Sequence, residues 1–97
     1  MNKIDEKTLL EIKKYEDILI LEIKNNIDIE VLAEEAIADI EKQKVSYMKY
    51  RDDLCDIEYT FYGTSGYEAA TNCKIEMNYE RLKFLQDKIS HIQSHKK

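Results

Sequence analysis

The sequence predicts an all-α fold, a three-helix antiparallel bundle in a single domain that covers residues 1–97. Charged residues make up 36% of the chain and hydrophobic residues 43%, with Ile, Leu, Glu and Lys prominent, which is typical of helical bundles. Apolar residues recur at helical spacing along three segments, at about residues 5–25, 28–61 and 66–92. Gly63 lies between the second and third segments, Gly66 begins the third, and the chain has no other glycine and no proline. We therefore expect one tight Gly/Ser turn, joining the second helix to the third.

The first helix is predicted over about residues 5–25. Its apolar stripe comprises Leu9, Ile12, Leu19, Ile20 and Ile23. Asp5 is the expected N-cap, and Asn25-Asn26 is the expected stop. Ile18 and Leu21 lie off the stripe, which predicts a helix covered by both of the others.

The second helix is predicted to begin after Asp28 as N-cap and to end near Tyr59 or Phe61. One broad face of it comprises Ile29, Ala33, Ala36, Ile37, Ile40, Tyr47, Met48, Arg51, Leu54 and Cys55. Arg51 is the one charged residue on this face, and a buried cation needs a partner. We expect it to reach Glu58 or to stack on a tyrosine, as a structural residue of the hairpin.

The third helix is predicted to start at Gly66 and to end near Ile92. Ser65 and Glu68 form a Ser-x-x-Glu capping box at its start. Its apolar residues fall into two sets, Ala70, Cys73, Met77 and Phe84 in one, and Ile75, Tyr79, Leu82, Leu85, Ile89 and Ile92 in the other. One set is expected to face the second helix, and the other the first helix or another molecule, so a homodimer is a further possibility.

The two cysteines, Cys55 and Cys73, each stand nine residues from Thr64. If their helices are antiparallel and of equal pitch, the two positions come level across the hairpin, where a disulfide would join the helices. A bridge would indicate an oxidising compartment. An unbridged pair of helices in the cytosol is the alternative.

Net charge is −5, and residues 28–62 carry 10 acidic against 4 basic side chains. This balance argues against nucleic acid and anionic membrane surfaces as partners and favours a cationic protein. Asp52, Asp53, Asp56 and Glu58 crowd the end of the second helix, where the helix dipole disfavours negative charge. They mark either a surface for a partner or an ordinary solvated face.

The sequence shows no sign of an enzyme. His91 and His95 have the spacing of a two-histidine metal clip, but no third ligand is apparent, so no metal or other cofactor is expected. Acidic residues interrupt the most apolar run, residues 18–21, which excludes a membrane span and an export signal there. An exported, mature chain would reconcile the missing signal with the cysteine pair.

Residues 43–85 carry a resemblance to a known family. Residues 47–55 read Tyr-Met-Lys-Tyr-Arg-Asp-Asp-Leu-Cys, residues 63–66 read Gly-Thr-Ser-Gly, and Cys73, Arg81 and Leu85 follow. This order resembles the LprI-type lysozyme inhibitor family, whose pattern is Trp-Leu-x-Tyr-Arg-Asp-x-x-Cys, a Gly/Ser-rich turn, then Cys, Arg eight residues later and Leu four further on. Tyr47 stands where the family usually has Trp, and a further cysteine pair found in many members is absent.

The resemblance implies an exported helical domain with a Cys55–Cys73 bridge, in the periplasm or outside the cell, and for some members inhibition of lysozyme. It covers residues 43–85, and within it Tyr47, Arg51 and Arg81 are expected to be structural. The expected contact with a cationic muramidase comprises the turn residues Tyr62, Gly63, Thr64, Ser65, Gly66 and Tyr67 with Asp52, Asp53 and Asp56. The alternative function is an immunity or envelope-assembly protein that binds a bacterial effector or an envelope component without inhibiting lysozyme.

Overall fold

In the computed structural model, the described part of the chain is residues 3–94, without the side chains of Tyr62 and Thr64. It consists of α1 (Lys3–Asn26), α2 (Glu30–Tyr62), a 3-10 helix (Gly63–Ser65) and α3 (Gly66–Ser94). No strand occurs among these residues, so the predicted all-α class with three helices is confirmed. The ends of all three predicted helices agree within two residues.

Two predicted helix caps are wrong. Asp5 lies inside α1, two residues after its described start, and its carboxylate accepts hydrogen bonds from Arg51 of α2 and Asn78 of α3. At the start of α2 the N-cap is Ile29, and no side chain caps this helix. Asp28 therefore does not cap α2. The backbone amide of Ala33, near the start of α2, donates to the backbone oxygen of Ile29 at 3.1 Å. The predicted stop of α1 is confirmed, and there the Asn26 side chain donates to the backbone oxygen of Glu22 at 2.8 Å.

The hydrophobic core draws on all three helices. Its buried members are Ile12, Leu19, Ile23, Ala33, Ile40, Leu85 and Ile89. The predicted stripe of α1 is confirmed, because Leu9 and Ile20 pack against the same core. The predicted face of α2 is wrong at Ile29 and Leu54, which are 60% and 41% exposed, whereas its last residue, Cys55, is buried as predicted.

The contacts between α2 and α3 follow a fixed order. Arg81 bonds to Gln43, Asn78 bonds to Tyr47 and Arg51, and Cys73 bonds to Cys55. As residue numbers rise along α2 they fall along α3. The molecule is 53 Å long, which matches the roughly 50 Å expected for a helix of the length of α2 at about 1.5 Å per residue.

Helix α1 covers only part of this hairpin. Asp5, in the first turn of the described α1, reaches Arg51 and Asn78. Residues 52–77, which we call the hairpin end, lie beyond that level. Cys55 and Ala70 are buried there, but neither belongs to the core cluster.

The two glycines of the connection have different roles. Gly63 ends α2 with φ 59° and ψ −122°, a conformation that side chains of L-residues disfavour. A Cβ on Gly66 would lie 2.5 Å from the backbone Cα and oxygen of Tyr59. Gly66 thus permits the close approach of α3 to the last turns of α2.

A disulfide joins Cys55 to Cys73, with their Cα atoms 5.5 Å apart. This confirms the predicted pairing. Since the hairpin end has two helices and little buried apolar surface, closing this loop contributes much of its stability, about 3 kcal/mol in the chain-entropy account.

Candidate partner-binding surface at the hairpin end

A buried polar layer sets the position of the hairpin end against α1. Its centre is Asn78 of α3, which is fully buried. The Asn78 oxygen accepts hydrogen bonds from Tyr47 Oη at 2.7 Å and Arg51 Nη1 at 3.1 Å. Its amide nitrogen donates to Asp5 Oδ1 at 2.8 Å and Thr8 Oγ1 at 2.9 Å. All the hydrogen-bonding capacity of this amide is therefore used, by residues of all three helices.

Arg51 is the cation of this layer and is 4% exposed. Its Nη1 lies 3.0 Å from Asp5 Oδ1, and its Nη2 lies 2.8 Å from Asp52 Oδ1. The predicted partner Glu58 is wrong, because the half-buried Asp5 of α1 supplies the carboxylate. The buried guanidinium of Arg51 is thus paired with carboxylates, which a buried charge requires.

Burial raises the pKa of Tyr47 to about 12. The phenol therefore stays protonated at physiological pH and remains the donor to Asn78 Oδ1. Burial outweighs the nearby Arg51 and Arg81 guanidiniums, which lower this pKa. Tyr47 thus serves as a neutral hydrogen-bond donor within the layer.

Arg81 lies further along α3 than Asn78, and its guanidinium has fewer and longer hydrogen bonds than that of Arg51. Its guanidinium reaches Glu16 at 3.4 Å and Gln43 at 3.3 Å. Its central carbon lies 5.6 Å from the ring centre of Tyr47 and 5.3 Å from that of Phe84. Its Nε is buried and has no hydrogen-bond partner among the described residues. Aromatic stacking therefore contributes to holding this cation.

Burial also raises the pKa of Glu16, while the Arg81 and Lys44 charges act in the opposite direction. Glu16 is 4% exposed. Its pairing with Arg81 only partly offsets the cost of removing the carboxylate from water.

The predicted acidic cluster is divided by the structure. Asp52 pairs with Arg51, and Lys74 lies 3.9 Å from Asp52 and 3.6 Å from Asp56. Asp53 is exposed and Glu58 is half-buried, and neither forms an ion pair with any other described residue. These two are the carboxylates of the cluster that remain open to a partner.

The turn between α2 and α3 is mostly exposed. Gly63, Ser65 and Tyr67 are exposed, and Gly66 is buried against α2. The side chains of Tyr62 and Thr64 lie outside the described part. Ser65 directly precedes α3, the position of an N-cap, and its capping box with Glu68 stays a prediction.

The outer side of α2 carries an apolar surface that the sequence reading missed. Tyr50, Leu54, Ile57 and Phe61 are 62%, 41%, 49% and 80% exposed. We call these four residues the α2 stripe. Their spacing of four, three and four residues places them on one side of the helix. That spacing was visible in the sequence, but Leu54 had been assigned to the core face.

No metal centre is seen within residues 3–94, where no group of three or more His, Cys, Asp or Glu side chains comes together. His91 is exposed on α3, and His95 lies outside the described residues. None of the described helices is both long and apolar enough to cross a membrane.

No protein-family model, curated protein or solved structure matches this chain. The resemblance to the LprI-type family therefore stays a prediction.

Proposed function

We propose that this protein is an exported bacterial protein-binding module, similar to LprI-type lysozyme inhibitors, that inhibits a cationic muramidase by binding it through the hairpin end. The scaffold is a three-helix antiparallel bundle in which a tight Gly/Ser turn joins α2 to α3. The descending order of the α3 contacts along α2 supports this arrangement.

One observation carries the proposal. Within the described chain, the hairpin end extends beyond α1 and exposes apolar and aromatic side chains beside unpaired carboxylates. Phe61 and Tyr67 are 80% and 63% exposed, and Asp53 is open to solvent. Aromatic side chains give large contact areas at low entropic cost, and acidic groups speed the approach of a cationic partner.

The disulfide supports the proposed location. A Cys55–Cys73 bridge persists in the periplasm or outside the cell and is rare in the cytosol. It also keeps the two helices of the hairpin end together, so less conformational entropy is lost when a partner binds.

The test is a muramidase assay on bacterial cell walls with increasing amounts of the protein, at low and high salt. We expect inhibition, with slower onset at high salt because screening weakens the attraction of opposite charges. Tyr67→Ala should weaken inhibition about tenfold or more if the turn supplies a hot spot. Tyr79→Ala is the matched control, because Tyr79 is 56% exposed on α3 but lies outside the hairpin end.

Charge is tested separately. Asp53→Lys should slow inhibition, whereas Asp17→Lys, which reverses an exposed carboxylate on α1, should not. Full lysozyme activity at a large molar excess of the protein would discard the inhibitor function. It would favour the alternative of an immunity or envelope-assembly protein.

A further inference from the structure

We infer that the α2 stripe is a docking surface for an amphipathic helix with basic residues along its flanks. The inference rests on the proposed protein-binding function, but it does not require that the partner be a muramidase. It assigns the contact to the outer side of α2, away from the turn.

The length and form of the α2 stripe fit a helix. From Tyr50 to Phe61 there are eleven helical steps, or about 17 Å at roughly 1.5 Å per residue. This equals about three helical turns, the length over which helix-in-groove partners place their apolar anchors. Phe61, the most exposed of the four, stands at one end as a large aromatic anchor.

The charges beside the α2 stripe define the partner. With about 100° between successive residues, Asp53 falls on one side of the stripe and Glu58 on the other. Neither is ion-paired to another described residue, whereas Asp52 and Asp56 are engaged by Arg51 and Lys74. The stripe is thus bordered on both sides by open carboxylates, which complement Lys or Arg on a docked helix.

The same charges disfavour a second copy of this chain as the occupant. Pairing two α2 stripes would bring Asp53 and Glu58 of each copy against carboxylates of the other. Like charges at an interface oppose association. The apolar residues attract a helix, and the carboxylates select a basic one.

The experiment uses a synthetic helical peptide of about 18 residues, built from Leu, Lys and Ala, with Leu at the spacing of an amphipathic face and Lys on both flanks. A shuffled peptide of the same composition and a peptide with Glu in place of Lys are the controls. Binding is measured by fluorescence anisotropy, and the contact is mapped by amide chemical shifts. We expect the basic helical peptide to bind and to shift residues 50–61.

The variants separate the apolar and charged contributions. Leu54→Ser with Ile57→Ser should raise the Kd about tenfold or more. Val45→Ser should leave it unchanged, since Val45 is 75% exposed on α2 but lies outside the α2 stripe. The variant with Asp53→Lys and Glu58→Lys should bind the acidic peptide more tightly than the basic one. Circular dichroism and thermal melting confirm that each variant is folded.

Several results would overturn the inference. One is that the unmodified protein binds the basic and the acidic peptide equally well. Another is that the amide chemical-shift changes are confined to residues 63–67. A third is that the protein self-associates and that Leu54→Ser with Ile57→Ser abolishes this self-association. Peptide binding without any effect on lysozyme would discard the muramidase function alone. Lysozyme inhibition with no peptide binding, and unchanged in the stripe variant, would discard this inference alone.

Discussion

The amide nitrogen of Asn78 lies 2.8 Å from a carboxylate oxygen of Asp5, so a fully buried side chain of α3 fixes the start of the described α1. The same amide also binds α2 through Tyr47 and Arg51. One residue therefore sets the level at which the three helices meet. The hairpin end begins where this layer stops.

Replacing Asn78 should destabilise the protein strongly. Asn78→Ala leaves Tyr47, Arg51 and Asp5 each short of a partner inside the molecule, and we expect a loss of about 3 kcal/mol in the free energy of unfolding. Urea unfolding measures it. Asn72→Ala, at an exposed position of α3, is the control, and an equal effect of both would contradict a central role for Asn78.

Arg51 and Arg81 are expected to act on stability before binding. Arg51→Ala breaks the ion pair of Arg51 with Asp5 and should cost about 3–5 kcal/mol. Arg81→Ala should cost less, because its polar contacts are longer, at 3.3 and 3.4 Å. Thermal melting and partner binding are measured together, with Lys83→Ala, an exposed cation on α3, as control. An unchanged Tm with lost partner binding would reassign either arginine to the contact surface.

Replacing either glycine by alanine should destabilise the protein, for a different physical reason at each position. At Gly66 the new methyl group of Gly66→Ala meets the Tyr59 backbone, and we expect a loss of about 2 kcal/mol or more because the helices must move apart. Gly63→Ala meets nothing within 4 Å, and its cost, about 1–2 kcal/mol, comes from the positive φ alone. Chemical synthesis with D-alanine in place of Gly63 should restore the stability. If the D-alanine protein is as unstable as Gly63→Ala, steric crowding and not the positive φ is what disfavours a side chain at this position.

The disulfide should matter most at the hairpin end. The oxidised protein should have the mass of the dithiol less two hydrogens. Cys55→Ser with Cys73→Ser should lower the free energy of unfolding by about 3 kcal/mol. Hydrogen exchange should accelerate in residues 55–73 more than around Leu85, which is fully buried in the three-helix core. Two free thiols in oxidised, folded protein would refute the bridge.

Glu16 should make stability fall with rising pH. Because burial raises its pKa above the ordinary 4.5, the native state keeps a proton that the unfolded chain has already lost in the interval between the two values. The free energy of unfolding therefore decreases as pH rises through that interval and is level above it. Glu16→Gln removes this contribution. Urea unfolding of both proteins between pH 4 and pH 8 should show the stability of the unmodified protein, relative to Glu16→Gln, declining with pH, and a rise would contradict the direction of the shift.

Local spacing was enough to predict much of the fold. Helical periodicity indicated the three helices, and the α1 stripe with Ile12, Leu19 and Ile23 is the core side of that helix. The equal distances of Cys55 and Cys73 from the turn made their pairing geometrically possible. Such features depend on residues close in sequence, where the helical repeat alone decides which side chains share a face.

The exposed α2 stripe was not predicted, because helical periodicity alone does not determine which side of α2 the other helices cover. Leu54 belongs to the predicted core face, but it is 41% exposed in the structure. The division of the acidic cluster depends on the neighbouring helix α3. Lys74 of α3 reaches Asp56 but not Asp53, and only the packing of the two helices determines which carboxylates find a cation.

The sequence by itself determined the helical class and the approximate ends of the helices, and it placed the two cysteines at equal distances from the turn, since each follows from regular spacing along one helix or about one turn. Only the tertiary structure decided the buried polar layer. Asp5 and Asn78 are 73 positions apart, and neither stands out in sequence as a core residue. A polar side chain is stable in a core only when its partners are present, and those partners came from different helices.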